Sequence, residues 1–331
     1  MNELVFFINN VMIAGAVSGS IYAMGAVGVT LIFSIMRFAH FAHGDMMTFG
    51  AFMVLLLTTL FPSAGSAIGV PTPILMMPLA MALTACLAVG IDHTFYKRCA
   101  PMASSHRHGD RLAGCDLMLQ GLIRLFAGTG GSSLYVDDRK EIFRLPLPIE
   151  GVRVPVVITE PQLYLFALTI ICVVALHLFL SRSRLGKAMR AMSDNPDLAQ
   201  ASGINTNTIV AVTWVLAGGL AAIAGTLLSM DVTFKPDLSF FLLLPIFAAA
   251  IVGGVGHPFG AIAGGFMVGF AEAWQSSTGA CCCAPSATAY PSGCRCRATW
   301  PSSAPNTRSW CPSSSSSPSW CGAPRASSRA R

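Results

Sequence analysis

Histidine and carboxylate side chains gather in the stretch 37–45, Arg-Phe-Ala-His-Phe-Ala-His-Gly-Asp, where His40, His43 and Asp45 interrupt apolar sequence. These are the groups that ligate zinc or carry protons. Two histidines and one aspartate on a single short segment fall short of a closed metal set, so no metal is assigned there. His106, His108 and Asp110 form a second polar group, whose spacing and apolar context argue against a metal loop. The run 253–265 carries glycine at 253, 254, 256, 260, 264 and 265, a density that invites a phosphate-loop reading. It lacks the Lys-Ser/Thr that a nucleotide loop needs, and no strand precedes it. Cys281, Cys282 and Cys283 are adjacent but have no recognised ligand spacing. None of these groups is assigned a catalytic role, and no cofactor is expected.

The elements that must position these residues are membrane spans. The chain has 331 residues, of which 53% are hydrophobic and only 11% charged. Soluble domains carry about 25% charged residues. An uncharged run of roughly 20 residues crosses a bilayer as a helix. Apolar runs near that length cover 8–35, 46–60, 74–95, 161–180, 208–230, 240–255 and 259–274, with Asp92 and Glu272 near the ends of two of them. The first holds Gly15, Gly19, Ser20, Gly25 and Gly28, small residues of the kind that let helices approach closely in lipid. Residues 1–7 carry one acid and no Lys or Arg, which does not fit a cleavable signal peptide. Glu272 reads as an acid near the end of its span, structural or interfacial rather than catalytic. The net charge of +6 comes from the segment after Trp274, which has Arg295, Arg297, Arg308, Arg325, Arg329 and Arg331 and no acid. The remainder is neutral, which leaves no basic face for nucleic acid.

One long polar stretch, 181–205, divides two of the apolar runs. Arg182, Arg184, Lys187 and Arg190 follow a span directly, a bias that places the stretch on the cytoplasmic side. Counting crossings from there, with a fourth span included ahead of residue 128, puts the N-terminus outside and 128–160 in the periplasm, where the alternation in 152–158 predicts a short hairpin. Within 181–205, Leu185, Ala188 and Met192 share one helical face. Asp194 or Asn195 then caps a second helix that begins at Pro196 and Asp197. Gly203 and Asn205 mark its end.

Residues 186–205, Gly-Lys-Ala-Met-Arg-Ala-Met-Ser-Asp-Asn-Pro-Asp-Leu-Ala-Gln-Ala-Ser-Gly-Ile-Asn, resemble the coupling loop of ABC importer permeases. The resemblance is greatest to the branched-chain amino-acid importer permeases and covers 8–101 and 117–274. Gly19, Tyr22, Ala23 and Gly28 match the family's first span, and the glycines at 253–265 match its Gly-Gly-x-Gly-x-x-x-Gly turn. The family commonly shows Asn-Phe-Ala-His-Gly-Asp where this chain has His40 to Asp45, so His40 replaces the asparagine. The resemblance implies an all-α polytopic membrane protein of seven to eight transmembrane helices, with residues 1–274 as the permease domain. It also implies a multi-pass protein of the bacterial inner membrane that moves branched-chain or related amino acids.

The same resemblance assigns site residues. Gly186, Lys187, Arg190, Ala191, Asp194, Asp197, Ala199 and Gly203 belong to the ATPase-coupling loop. Tyr22, His40, His43, Gly44 and Asp45 belong to the translocation path, the last four on a broken or re-entrant element near it. Gly253, Gly254, Gly256, Gly260, Gly264 and Gly265 serve helix packing. The implied partners are ABC ATPase subunits, a second permease subunit, an extracytoplasmic substrate-binding protein meeting 128–160, and membrane lipid. With no Walker motif, the chain itself is not expected to hydrolyse ATP.

Two segments depart from the family. Residues 102–116 are polar where a fourth span should begin. The codons for 106–110, read one base on, can spell Ile-Ala-Thr-Ala-Thr. Residues 275–331 are rich in Ser, Cys, Pro and Arg, and seven of the 11 cysteines lie there. Read in another frame, the codons for 320–330 can spell an ending close to the family's Arg-Pro-Gln-Gly-Leu-Phe. Both segments read as products of a shifted frame, the second as a disordered low-complexity tail. Two rival functions remain. A stand-alone secondary transporter or channel needs no docking loop and favours acids within spans. An intramembrane enzyme would use His40, His43 and Asp45, would fail with His43→Ala, and would need no ATPase.

Overall fold

The computed structural model describes residues 5, 7–62, 64–65, 70–96, 118–128, 130–135, 142–145 and 155–282. The chain clusters into a large unit, Met1–Gln275, and a smaller one, Ser276–Arg331. The candidate side chains among the described residues, apart from Cys281 and Cys282, belong to the first.

Helix α1 is Ile8–Met36, whose first turns, Ile8–Ile13, are π-helical. At 1.5 Å per residue its 29 residues extend about 43 Å, more than the roughly 30 Å hydrocarbon core. It ends at Arg37, the one non-glycine among the described residues with positive φ (φ 61°, ψ 26°). A left-handed L-residue costs about 1–2 kcal/mol. Helix α2 (His43–Leu60) begins after this break, and α3 (Thr72–Ile91) follows an outer turn. Helix α4 (Met118–Ala127) is short and apolar.

Strands β1 (Ile142–Leu145) and β2 (Val156–Thr159) pair antiparallel, with Ile142 opposite Thr159 and Leu145 opposite Val156. This small ladder is the short hairpin that the alternation in 152–158 predicts, set in an otherwise helical fold. Asn9 holds it to α1: the side-chain amide donates to Pro155 O and its oxygen accepts from the Val157 N–H, each at 3.3 Å.

Helix α5 (Glu160–Arg182) leads into α6 (Arg184–Asp194), α7 (Pro196–Ala201) and α8 (Thr206–Asp231). Helices α9 (Leu238–Gly253, with Pro245 inside) and α10 (Pro258–Cys282) complete the described chain. Among the described residues, five helices have the length and composition to cross a bilayer: Ile8–Met36, His43–Leu60, Thr72–Thr94, Glu160–Arg182 and Thr206–Asp231. Met118–Ala127 and Phe240–Gly253 are shorter apolar helices. Helix α10 runs beyond residue 274, where the sequence suggested the permease would stop. Residues 102–116 and 283–331, where shifted frames are expected, lie outside the described residues.

Helix α8 is the centre of the bundle and packs against α1, α2 and α3. Its small residues allow this. A Cβ on Gly225 would strike the Met47 carbonyl, and one on Gly50 would strike Ala222. Five threonines inside the spans satisfy their hydroxyls within their own helices. Thr48, Thr58, Thr84, Thr213 and Thr226 each donate to the carbonyl four residues earlier, at 2.7–3.2 Å. That removes the cost of a bare hydroxyl in hydrocarbon. On one side of the bundle, the Arg124 guanidinium sits 2.6 Å from the Asp237 carboxylate. Ser132 and Phe234 exchange backbone hydrogen bonds nearby at 3.0 and 2.8 Å.

Candidate functional site

The polar stretch 181–205 folds as two short helices with every end capped. Ser183 Oγ accepts from the Gly186 N–H at 2.8 Å and starts α6. Asn195 Oδ1 accepts from the N–H groups of Asp197 and Leu198, both at 3.1 Å, and starts α7. Asn195, not Asp194, is therefore the cap. Gly203 closes α7 with φ +81°. Its N–H donates to Gln200 O at 2.9 Å, and the Ile204 N–H donates to Ala199 O at 3.1 Å. This pair of reverse bonds needs a residue at ease in the left-handed region, which is why glycine stands there. Asn205 Oδ1 then caps α8 through Asn207 and Thr208.

The hairpin rests on the bundle through Gly186, Met189, Met192 and Ala199, all buried. A Cβ on Gly186 would meet the Phe179 carbonyl and sit 2.6 Å from Leu180 Cα, so glycine lets α6 turn tightly off α5. Lys187, Arg190, Ala191, Asp194 and Asp197 face solvent. So do two leucines, Leu185 (39% exposed) and Leu198 (64%). Leu185, grouped in the sequence with Ala188 and Met192 on one helical face, is thus exposed.

The break 37–42 brings its histidines inward. His40 and His43 are 1% and 0% exposed, and Asp45 is 2% exposed. Gly44 is buried beside them. The His40 ring meets the Trp214 ring of α8 edge-on, with centroids 5.0 Å apart. The His43 ring fills the space where Gly28 lacks a side chain: a Cβ there would lie 2.5 Å from its Cε1. His40 and His43 are 6.4 Å apart between centroids. Among the described residues no three His, Cys, Asp or Glu side chains come together as a metal site. His106, His108, Asp110 and Cys283 lie outside those residues.

Tyr22 lies elsewhere. It is buried in the middle of α1, and its hydroxyl donates to Glu272 Oε2 at 2.5 Å. Glu272 sits midway along α10 and is exposed. The sequence placed it near the end of a span, because the apolar run stops at Trp274 while the helix continues. Tyr22 and the 40–45 residues are thus two separate features of the bundle.

The late glycines divide by task. Gly253, Gly260 and Gly264 bring α9 and α10 into backbone contact, and a Cβ on Gly265 would lie 2.5 Å from Ala23 Cα of α1. Gly254 and Gly256 take φ +92° and +95°, and a Cβ on either would meet nothing closer than 3.8 Å; they form the turn between the helices. A contact that sequence reading missed joins Arg37 to α6: its Nη2 donates to the Ser193 carbonyl at 2.5 Å. The left-handed arginine was the available signal, and it is visible only in the backbone.

Comparison with known proteins places this arrangement in a family. A family model described as the permease component of branched-chain amino acid transport systems matches residues 11–290. That match includes 102–116 and continues past residue 274. The chain is 31% identical over 279 residues to the high-affinity branched-chain amino acid transport system permease protein BraD of Pseudomonas aeruginosa. That alignment covers 80% of this chain and 84% of BraD. It is 28% identical over 291 residues to LivH of Escherichia coli K12, a permease protein of the same description, covering 84% and 89%. A probable branched-chain amino acid transport permease of Methanocaldococcus jannaschii is 28% identical over 252 residues, covering 75% and 74%. No solved structure matches the chain significantly. With five span-length helices and a family match over most of its length, this multi-pass membrane protein belongs to the branched-chain amino acid transport system permease family.

Proposed function

We propose that the chain is the permease subunit of an ABC importer, carrying branched-chain or related amino acids inward across the inner membrane. ATPase subunits bind the α6–α7 hairpin from the cytoplasm and supply the energy, while this chain hydrolyses no ATP. A second permease subunit completes the pathway, and an extracytoplasmic binding protein delivers substrate to the side bearing 128–160. The observation that carries this reading is the hairpin itself. Its buried side is anchored in the bundle, and its outer side presents Leu198 and Leu185 among charged residues. Exposed leucines ringed by charge suit a protein contact. A lever with capped ends transmits a push instead of fraying under it.

The test is capture of the ATPase subunits encoded with this permease by the detergent-solubilised chain. Leu198→Asp is expected to reduce capture at least tenfold without lowering the amount of folded permease. Equal capture by wild type and variant would refute the hairpin as the docking site. One observation favours a different reading, a stand-alone secondary transporter. Glu272 is an acid midway along α10, hydrogen-bonded to Tyr22, and intramembrane acids serve as coupling sites in such proteins. Uptake that persists in vesicles without ATP or ATPase subunits would support it.

A further inference from the structure

Between the hairpin and the membrane spans there is a connection that chain continuity does not provide. The hairpin is joined in sequence to α5 and α8. Arg37 joins it to α1 and α2 as well, through residues 156 positions apart. We propose that Arg37 is a positioning residue that ties the carboxyl end of α6 to the break between α1 and α2. Movement of the hairpin is thereby delivered to the buried His40–His43 segment. The proposal rests on the reading of the hairpin as the ATPase docking site.

Ser193 lies in the last turn of α6, whose final carbonyls have no partner within the helix and carry partial negative charge. A guanidinium is the side chain best suited to hold such an end. To reach it, Arg37 occupies the left-handed region at the C-terminus of α1, with its N–H on the Phe33 carbonyl at 2.9 Å. Glycine is the ordinary occupant of that position. An arginine held there, with its guanidinium on another helix, indicates that the side chain is required. Inferring function from a backbone outlier is sound in that direction.

Past Arg37, the break touches the rest of the bundle at three points. His40 meets Trp214 on α8, the helix that leaves the hairpin. Phe41 meets Phe247 on α9, with centroids 5.2 Å apart. His43 fills the gap at Gly28 on α1. A pull on Arg37 therefore acts on a segment already packed against α1, α8 and α9.

Arg37→Gly and Arg37→Lys test this in the complete transporter, reconstituted in liposomes with its ATPase subunits, second permease and binding protein, with radiolabelled leucine as the probe. Glycine accepts the left-handed backbone and removes only the guanidinium. Arg37→Gly is expected to capture ATPase subunits and hydrolyse ATP at near the wild-type rate while moving at least fivefold less leucine per ATP. Arg37→Lys should recover part of that ratio. Hydrogen exchange gives a second reading that needs no transported substrate. Trapping ATP with vanadate should change protection of residues 38–42 in wild type and not in Arg37→Gly. An unchanged leucine-to-ATP ratio together with an unchanged exchange response in Arg37→Gly overturns the role of Arg37 alone. A proportional loss of ATPase capture, hydrolysis and transport also overturns it, because that is a folding or assembly defect. Failure of the wild-type chain to capture ATPase subunits overturns the docking reading and this proposal together.

Discussion

Replacing Gly28 with alanine sets a methyl group 2.5 Å from His43 Cε1 and 2.8 Å from Nε2. The ring is fully buried and lacks free space to retreat into. Overpacking of this kind costs about 1–3 kcal/mol. Gly28→Ala is therefore expected to lower the melting temperature of the purified permease by several degrees. His43→Ala in the same chain should return part of the loss, because the void left by the ring takes the methyl. The pair should be clearly non-additive in a double-mutant cycle, and additive effects would show that the two sites do not touch. Each residue stood out in the sequence, His43 as a polar group at membrane depth and Gly28 as one small residue among several. Their pairing did not. It depends on how the chain reverses between Met36 and His43, and that reversal turns on one left-handed arginine. Glu272 lies farther from the end of its helix than from the end of its apolar run, for a similar reason. Hydropathy reports where apolar residues stop, whereas a helix stops where its backbone bonds stop.

At the scale of elements, the α6–α7 hairpin depends on its caps. Asn195→Ala leaves the N–H groups of Asp197 and Leu198 without their acceptor. The loss of such a cap costs about 1 kcal/mol. In hydrogen exchange, the amides of Asp197 and Leu198 should lose protection by roughly fivefold while those of α8 do not change. Equal loss in both helices would mean that the hairpin unfolds only with the whole bundle. The caps were legible because they are local chemistry: Asn195-Pro196-Asp197 and Gly203 specify their turns without help from elsewhere. The buried side was less so. Leu185 was grouped with Ala188 and Met192 on hydrophobicity, yet the bundle takes Gly186, Met189 and Met192. Which side is covered is decided by how closely α6 must leave α5, and glycine at 186 permits a tighter departure than any larger residue. The outer hairpin was also legible as a pairing, although its first strand, Ile142–Leu145, lies upstream of the alternating segment that signalled it.

For the whole molecule, the charges predict an orientation. Arg182, Arg184, Lys187 and Arg190 are expected to put the α6–α7 side in the cytoplasm, with Ser132, Asp237 and the β1–β2 ladder on the opposite face. In a background without reactive native cysteines, a cysteine at Ser133 should react with a membrane-impermeant maleimide in intact cells. One at Asp197 should react only after the membrane is opened. The reverse pattern would invert the orientation and remove the cytoplasmic assignment of the hairpin. Span positions were readable because length and apolarity are themselves the requirements of the bilayer. The order of packing was not, since α8 gains its central place from Gly218 and Gly225 meeting α3 and α2, contacts between residues far apart in the chain.

Those glycine contacts have a genetic consequence. At Gly50, Gly225, Gly253, Gly260, Gly264 and Gly269 an added Cβ would fall within contact distance of a neighbouring backbone. Every single-nucleotide missense change in a glycine codon adds at least that atom. These positions therefore have no mild neighbours in sequence space. Drift in such a gene must pass around them, through the lipid-facing leucines, valines and phenylalanines that exchange freely.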